Sequence, residues 1–173
     1  MRNVKQIIEE SISPIALDIL VFGPQTKKMS DDERTLALQN KRIEIRDRLR
    51  EEGHNVFFAE ELVEEGLSGK LGNMMTQEEL LLMECDLVVA LVESKGTLVE
   101  LGVITSKESY SKKAHCFLDK DHCAGLAHQA CENAKAKGAF YTNYKHPEDL
   151  DLCHLLGYIR DSVEETQLAK YIS

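Results

Sequence analysis

The sequence predicts an α/β fold organised around a parallel sheet, and two observations support this prediction. Strand-like and helix-like segments alternate along the chain, which is the pattern of a sheet whose strands are connected by crossover helices. One strand-like segment, 87–92, is apolar at every position and is bounded by polar and turn residues. Uninterrupted apolar strands of this kind are typical of parallel sheets that helices cover on both faces.

Five strands are expected, and each is a short, mainly apolar run that ends at turn residues. They are 17–22, 56–59, 86–92, 114–118 and 139–144. The natural strand order for a doubly wound five-stranded parallel sheet is 2-1-3-4-5, the flavodoxin-like arrangement. A length of 173 residues suits one domain, 1–173, with a sizeable core.

The segments between the strands have the apolar spacing of helices. The predicted helices are 2–12, 30–53, 76–83, a helix from Thr97, 124–136 and a C-terminal helix within 147–173. Residues 60–75 hold three glycines and no sustained period, which predicts a mobile loop. Three of the helices are predicted to begin with a capping box, in which a Ser or Thr hydroxyl and a Glu carboxylate satisfy free N–H groups. These boxes are Ser30–Glu33, Thr76–Glu79 and Thr97–Glu100.

The composition argues against several classes of partner. A formal net charge of −9 and a pI of about 5.2 disfavour a binder of nucleic acid or of anionic membranes. No apolar run approaches the roughly 20 residues that span a bilayer, and the N-terminal segment lacks the apolar core of a secretory signal. Five cysteines at irregular spacing, without a CxxC pair, fit reduced thiols and predict a cytoplasmic protein.

The most informative segment is 86–102, which reads DLVVALVESKGTLVELG. An apolar strand leads through a polar hinge into a helix, and parallel sheets bind ligands just beyond the carboxyl ends of their strands. Glu100 is therefore a candidate functional carboxylate, although a capping role alone would also explain it. A helix N-terminus favours negative charge, so the sequence predicts that Glu100 is ionised near neutral pH. Glu93, in the hinge, is expected to be an exposed loop charge.

A second part of the same crevice is expected at the end of the first strand. Phe22, Gly23 and Pro24 form a turn in which the glycine allows backbone to approach a ligand closely. An ordinary strand-to-loop turn explains the same residues. The chain contains no G-x-G-x-x-G and no Walker A loop, so neither a dinucleotide cofactor nor any other cofactor is expected.

Together, the FGP turn, the long helix after it, Asp86 at the head of the third strand and the S-x-G-x-x-x-E-L-G motif resemble the nucleoside 2-deoxyribosyltransferase superfamily. That superfamily includes the 2'-deoxynucleoside 5'-phosphate N-hydrolases. The resemblance covers roughly residues 17–120. It implies cleavage or transfer at the N-glycosidic bond of a nucleoside or nucleotide, and the family's shared pockets imply a homo-oligomer.

The resemblance also implies roles for individual residues. The residue matching Glu100 attacks the anomeric carbon, and the one matching Asp86 lies near the sugar and the base. The residue matching Ser94 can hold a 5'-phosphate, and Phe22, Gly23, Pro24, Gly96 and Thr97 would line the substrate. The family's tyrosine near the first strand has no match, because Phe22 stands there.

Two alternatives remain open at the level of sequence. The TIR-like NAD glycohydrolases also use a helix-borne glutamate against an N-glycosidic bond, so the ligand class extends to NAD. A module that senses a nucleotide without cleaving it could use the same crevice. No metal is expected, because the spacing of the four residues His122, Cys123, His128 and Cys131 matches no standard zinc pattern. The remaining histidines, His54, His115, His146 and His154, are expected at the surface or at strand ends.

Overall fold

The computed structural model describes residues 3–62, 74–93, 95–122, 124–151 and 154–173. Within these ranges the chain forms an α/β structure with a five-stranded, all-parallel sheet in the order β2-β1-β3-β4-β5. The fold class and the strand order predicted from the sequence are confirmed. The strands are β1 Asp18–Phe22, β2 Asn55–Phe57, β3 Leu87–Leu91, β4 Ala114–Asp119 and β5 Phe140–Tyr144.

Helices connect the strands and cover both faces of the sheet. They are α1 Val4–Ile7, which continues as a π-helical turn Ile8–Ile12, α2 Glu33–Glu51, α3 Ala59–Leu62, α4 Met74–Glu84, α5 Lys95–Ile104, α6 Glu108–Ser111, α7 Leu126–Ala136, α8 Glu148–Asp151 and α9 His154–Ile172. A 3-10 turn, Lys120–His122, follows β4. None of the helices in the described ranges is long and apolar enough to cross a membrane.

Alternate residues of the central strands point to opposite faces, so the sheet has two apolar cores. On one face, strand residues such as Val21 and Val89 pack against α2 and α9. On the other, residues such as Leu20 and Val88 pack against α4, α5 and α7. The helix that follows β1 and the helix that follows β3 therefore lie on opposite faces, which opens a crevice at the carboxyl ends of these two neighbouring strands.

The capping boxes predicted from the sequence are wrong at all three helix starts. The N-cap of α2 is Asp32, whose carboxylate accepts the backbone N–H of Thr35 at 2.8 Å. Helices α4 and α5 each begin two residues before the threonine that was expected to cap them. In both cases the helical backbone begins before the threonine, at Met74 and at Lys95. Most of the predicted loop 60–75 lies outside the described residues.

The C-terminal helix is fastened to the sheet by polar contacts as well as by apolar packing. His115 on β4 is buried between Ser162 on α9 and Thr142 on β5, and its two ring nitrogens contact these hydroxyls. Burial lowers the pKa of His115 to about 4, so the ring is neutral at physiological pH. His54 is also buried and accepts the backbone N–H of Leu17 at 3.3 Å. Both histidines lie at the start of a strand, in agreement with the prediction, but neither is at the surface.

Candidate functional site

The candidate site lies at the carboxyl ends of β1 and β3, and Glu100 on α5 is its central residue. The carboxyl group of Glu100 is largely buried, and its Oε2 atom has no hydrogen-bond partner among the described residues. A buried polar atom without a partner is unfavourable, and proteins keep such groups mainly where they serve a function. Glu100 lies on the helix that follows β3, and its predicted place at the edge of a ligand-binding crevice stays a prediction.

The charge state of Glu100 differs from the one that the sequence predicts. Burial raises its pKa to about 8, and the negative charges of Glu78 and Glu60 add to this effect. The nearby guanidinium of Arg42 opposes the shift without cancelling it. A pKa of about 8 favours the protonated form of Glu100 at neutral pH. The expectation of an ionised Glu100 is wrong because burial outweighs the influence of the helix N-terminus.

Thr97 does not cap α5. The helix begins at Lys95, so Thr97 is its third residue, and its side chain is fully buried. Glu100 consequently does not serve as the carboxylate of a capping box. The structural explanation that competed with a functional role for Glu100 is thereby removed.

Arg42, on α2, is the site residue that the sequence analysis missed. Its side chain is 1% exposed, and its guanidinium donates hydrogen bonds to the carbonyls of Val21, Gly23 and Pro24. It also forms a two-point ion pair with Glu60 on α3, at 2.6 and 2.9 Å.

The ring of Phe58 provides a further contact for Arg42, with the guanidinium carbon 4.1 Å from the ring centre. This arginine thus fastens the end of β1 while placing a positive charge near Glu100. The sequence does carry a signal for it, because Arg42 falls on the apolar stripe Leu38, Ile45 and Leu49. A charged residue at a core position of a helix indicates a buried partner.

The backbone of the Phe22-Gly23-Pro24 turn therefore binds Arg42. Phe22 is buried in the apolar core beneath α4 and α5, and the carbonyls of Gly23 and Pro24 accept from the arginine. A Cβ atom added at Gly23 would lie 3.2 Å from Cδ of Arg42 and 3.3 Å from Cβ of Leu91. The missing side chain of the glycine leaves room for this close approach. Its predicted role of admitting a ligand stays a prediction.

We expect Gly23→Ala to destabilise the protein by about 1 to 3 kcal/mol, because the added methyl group overpacks the contact with Arg42 and Leu91. Urea unfolding measures the change. The matched control is Gly157→Ala on α9, where a Cβ meets nothing within 4 Å and the helix propensity of Ala adds up to about 1 kcal/mol. Equal stability changes in the two variants would show that the turn does not depend on close packing.

Asp86 is far from Glu100. It precedes β3 at the amino end of the strand, where its carboxylate accepts the backbone N–H of Asp18 at 2.9 Å and an N–H of Lys170 at 2.7 Å. The five residues of β3 separate it from the crevice by roughly 17 Å. The placement beside the sugar and base that was expected for Asp86 is therefore wrong. Its observed contacts tie β1 and α9 to the head of β3.

Glu93 is a buried, paired residue at the end of β3, and the prediction that it is an exposed loop charge is wrong. Its side chain is 8% exposed, and both carboxylate oxygens accept from Arg34 in the first turn of α2, at 3.0 and 3.1 Å. Tyr144, at the end of β5, donates its hydroxyl to the same carboxylate. Arg34 also contacts Asp119, at the end of β4. Arg34, Glu93, Asp119 and Tyr144 form a network of ion pairs and hydrogen bonds at the carboxyl edge of the sheet.

Two of the predicted site residues are not fully described. Ser94 lies outside the described residues, so its predicted contact with a phosphate stays a prediction. Gly96 is the second residue of α5. Of the residues considered for zinc, Cys123 lies outside the described part, and Cys131 is buried in the apolar core. Among the described residues no group of three His, Cys, Asp or Glu side chains is arranged to hold a metal ion.

A comparison with known protein families gives a match for this chain. The sequence model of the STM3845 retron effector protein family matches residues 39–126, which is just over half of the chain. The chain belongs to this family. The matched segment runs from α2 to the start of α7 and includes Arg42, Glu60, Glu78, Glu93 and Glu100. No curated protein matches the sequence.

Proposed function

We propose that this chain cleaves or transfers at the N-glycosidic bond of a nucleoside or nucleotide, with Glu100 as the nucleophile. The observation that carries the proposal is the buried carboxyl of Glu100, which has an unpartnered oxygen at the crevice between β1 and β3. The resemblance of the motif around Glu100 to the nucleoside 2-deoxyribosyltransferase superfamily supports the same assignment.

The reaction proceeds by displacement at the anomeric carbon. A carboxylate oxygen of Glu100 forms a bond to this carbon while the bond from the carbon to the base nitrogen breaks, and the base takes up a proton from solvent. The sugar is then bound to Glu100 as an ester. Attack by water on the ester completes a hydrolysis, and attack by a second base completes a transfer. Either reaction restores the carboxylate of Glu100.

The charges around Glu100 suit this chemistry. Breaking an N-glycosidic bond builds positive charge on the sugar ring, and that charge favours the ionised form of a carboxyl beneath it. Glu78 and Glu60 add negative potential to the same site, which raises the pKa of Glu100. The buried Arg42 lowers the pKa of Glu100 and so favours its ionised form. Glu100 releases its proton to solvent before it attacks, and the positive charge that develops on the sugar is then stabilised by the carboxylate.

Membership of the retron effector family supports an effector role for the proposed activity, in keeping with defence against phage. An effector that removes bases from a pool of nucleosides or nucleotides would deprive a cell of these compounds without contacting nucleic acid. The net charge of −9 accords with a small-molecule substrate. A homo-oligomeric state, expected from the resemblance, stays a prediction that sedimentation velocity can measure.

The first test of the proposal is the release of free base from a panel of deoxynucleosides, their monophosphates, ribonucleosides and NAD, followed by chromatography. Release of base by the parent protein but not by Glu100→Gln supports the proposed enzymatic function. Binding of a panel member by calorimetry without any release, in the parent protein, would favour the alternative of a nucleotide-sensing module. The raised pKa of the largely buried Glu100 favours this alternative, because a neutral carboxyl can donate a hydrogen bond to a bound ligand.

The pH dependence of the reaction distinguishes a nucleophile from a general acid. We expect kcat/KM to rise with pH to a plateau, with a midpoint near the pKa of about 8 that Glu100 has in the free protein. The kcat profile reports the pKa of Glu100 in the complex with bound substrate. Initial rates of base release between pH 5.5 and about 9.5 measure both profiles.

Variants of neighbouring carboxyls control this experiment. Glu78→Gln removes a negative charge that raises the pKa of Glu100, so the kcat/KM midpoint should move to lower pH. Glu108→Gln, on the exposed surface of α6, should leave the midpoint where it is. A value of kcat/KM that falls as the pH passes through 8 would mean that Glu100 acts in its protonated form, which excludes the nucleophilic role.

A further inference from the structure

The connection from β3 to α5 determines where Glu100 lies. Strand β3 ends at Leu91, α5 begins at Lys95, and Glu100 is the sixth residue of that helix. A small change in the direction of this connection would move the start of α5 and the carboxyl of Glu100 with it. Glu93 is the last described residue before the helix.

Glu93 is held from two separate elements. Arg34 on α2 donates from Nε and Nη2 to the two oxygens of its carboxylate, at 3.0 and 3.1 Å. Tyr144 on β5 donates its hydroxyl to one of the same oxygens, and its ring is fully buried in the core between the sheet and α2 and α9. The planar two-point contact with an arginine fixes direction as well as distance.

Arg34 is itself held by a second carboxylate. Asp119, at the end of β4, is fully buried and accepts from Nη2 of Arg34. Its other oxygen accepts the backbone N–H groups of Asp121 at 3.2 Å and His146 at 3.4 Å. The hydrogen bonds to Asp119 lower the pKa of its carboxyl, so it stays ionised. The network therefore joins the carboxyl ends of β3, β4 and β5 to the first turn of α2.

We infer that Arg34, Glu93 and Tyr144 are positioning residues for Glu100, because the contacts among them fix Glu93 shortly before the helix that carries Glu100. The inference concerns the same site as the proposed function. Only the expected change in turnover rests on that function. None of the three residues supplies the reacting atoms. They act through the backbone that joins Glu93 to the helix of Glu100.

The test substitutes Arg34→Lys, which keeps the positive charge but cannot contact Glu93 and Asp119 with a planar fork. The Glu100 carboxyl is titrated by carbon NMR on protein labelled at glutamate carboxyl carbons, and its signal is assigned by its absence from Glu100→Gln. A released connection exposes the carboxyl to water, so we expect its midpoint to fall from about 8 by at least one pH unit. We also expect kcat to fall about tenfold, with a smaller change in KM.

The matched control for this substitution is Arg160→Lys. It alters an arginine–glutamate pair with Glu52 that bridges α9 and the end of α2, where both side chains are partly exposed. It should leave the Glu100 titration unchanged. A Glu100 midpoint in Arg34→Lys that coincides with the parent would overturn the inference, whatever happens to thermal stability.

A second pair of variants removes only a hydroxyl. Tyr144→Phe keeps the buried ring and removes the hydrogen bond to Glu93. Tyr110→Phe, on α6, removes a partly buried hydroxyl that accepts a hydrogen bond from Lys107. A lowered midpoint in the first variant alone supports the positioning role. Because the titration needs no turnover, a protein that releases no base would contradict the proposed function while the NMR result still decides this inference.

Discussion

Glu100→Gln is expected to abolish the release of base, by about 1,000-fold or more, while leaving the fold intact. Glutamine has nearly the same shape as glutamate, but it cannot form the ester to the sugar and carries no negative charge to stabilise the cation. Chromatography of released base measures the loss. Near-normal turnover in a folded Glu100→Gln protein would contradict the proposed mechanism.

The same variant should be more stable than the parent at high pH. The folded protein raises the pKa of Glu100 from 4.5 to about 8, so the stability that its protonated form contributes is fully present below pH 4.5 and is lost as the pH rises through about 8. Glutamine stays neutral throughout. We expect equal stability near pH 4 and a gain for the variant of roughly 2 to 4 kcal/mol near pH 9, measured by urea unfolding.

The control for this comparison is Glu108→Gln, which neutralises an exposed carboxylate paired with Lys112 on α6. It should change stability by less than about 1 kcal/mol. A Glu100→Gln protein that is less stable than the parent at pH 9 would mean that the Glu100 carboxylate is well solvated or well paired in the folded state. The combination of lost turnover and gained stability is what a residue kept for function is expected to show.

Arg42→Met should destabilise the protein by roughly 3 to 5 kcal/mol, which is the second large effect. The substitution removes a buried cation, leaves Glu60 without its partner and leaves the carbonyls of Val21, Gly23 and Pro24 without a donor. Urea unfolding at pH 7 measures the change.

Two further variants make the Arg42 result interpretable. The double variant Arg42→Met/Glu60→Met should recover part of the stability, because it no longer leaves an unpaired charge at the site. Arg160→Met, at a partly exposed pair, should cost less than about 1 kcal/mol. A loss below about 1 kcal/mol for Arg42→Met would show that its hydrogen bonds and ion pair do not hold the end of β1.

The fold could be predicted because its determinants are local. The apolar runs of β1, β3 and β4 each identify a buried strand, and the alternation with helices then limits the order of the sheet. Helix starts were less predictable. Thr76 and Thr97 have suitable side chains and spacing for N-caps, yet both helices begin two residues earlier. Helix ends are commonly misplaced by one or two residues in this way.

The candidate site could be predicted only in part. Glu100 was identified from its motif and its place after a strand. Asp86 was assigned to the same site because it is near in sequence, but the direction of β3 places it at the opposite edge of the sheet. The burial of Glu93 depends on Arg34 and Tyr144, which are 59 and 51 residues away in the sequence. Such partners leave no local pattern.

The measurement that tests the central claim most directly is the capture of the sugar on Glu100. The parent protein is incubated with a 2'-fluoro analogue of a nucleoside that it cleaves, because the fluorine slows hydrolysis of the ester, and its intact mass is measured. The account predicts a mass increase of one fluorosugar, located by peptide mapping at Glu100 and absent from Glu100→Gln. Release of base without any sugar adduct, or an adduct on a different residue, would contradict it.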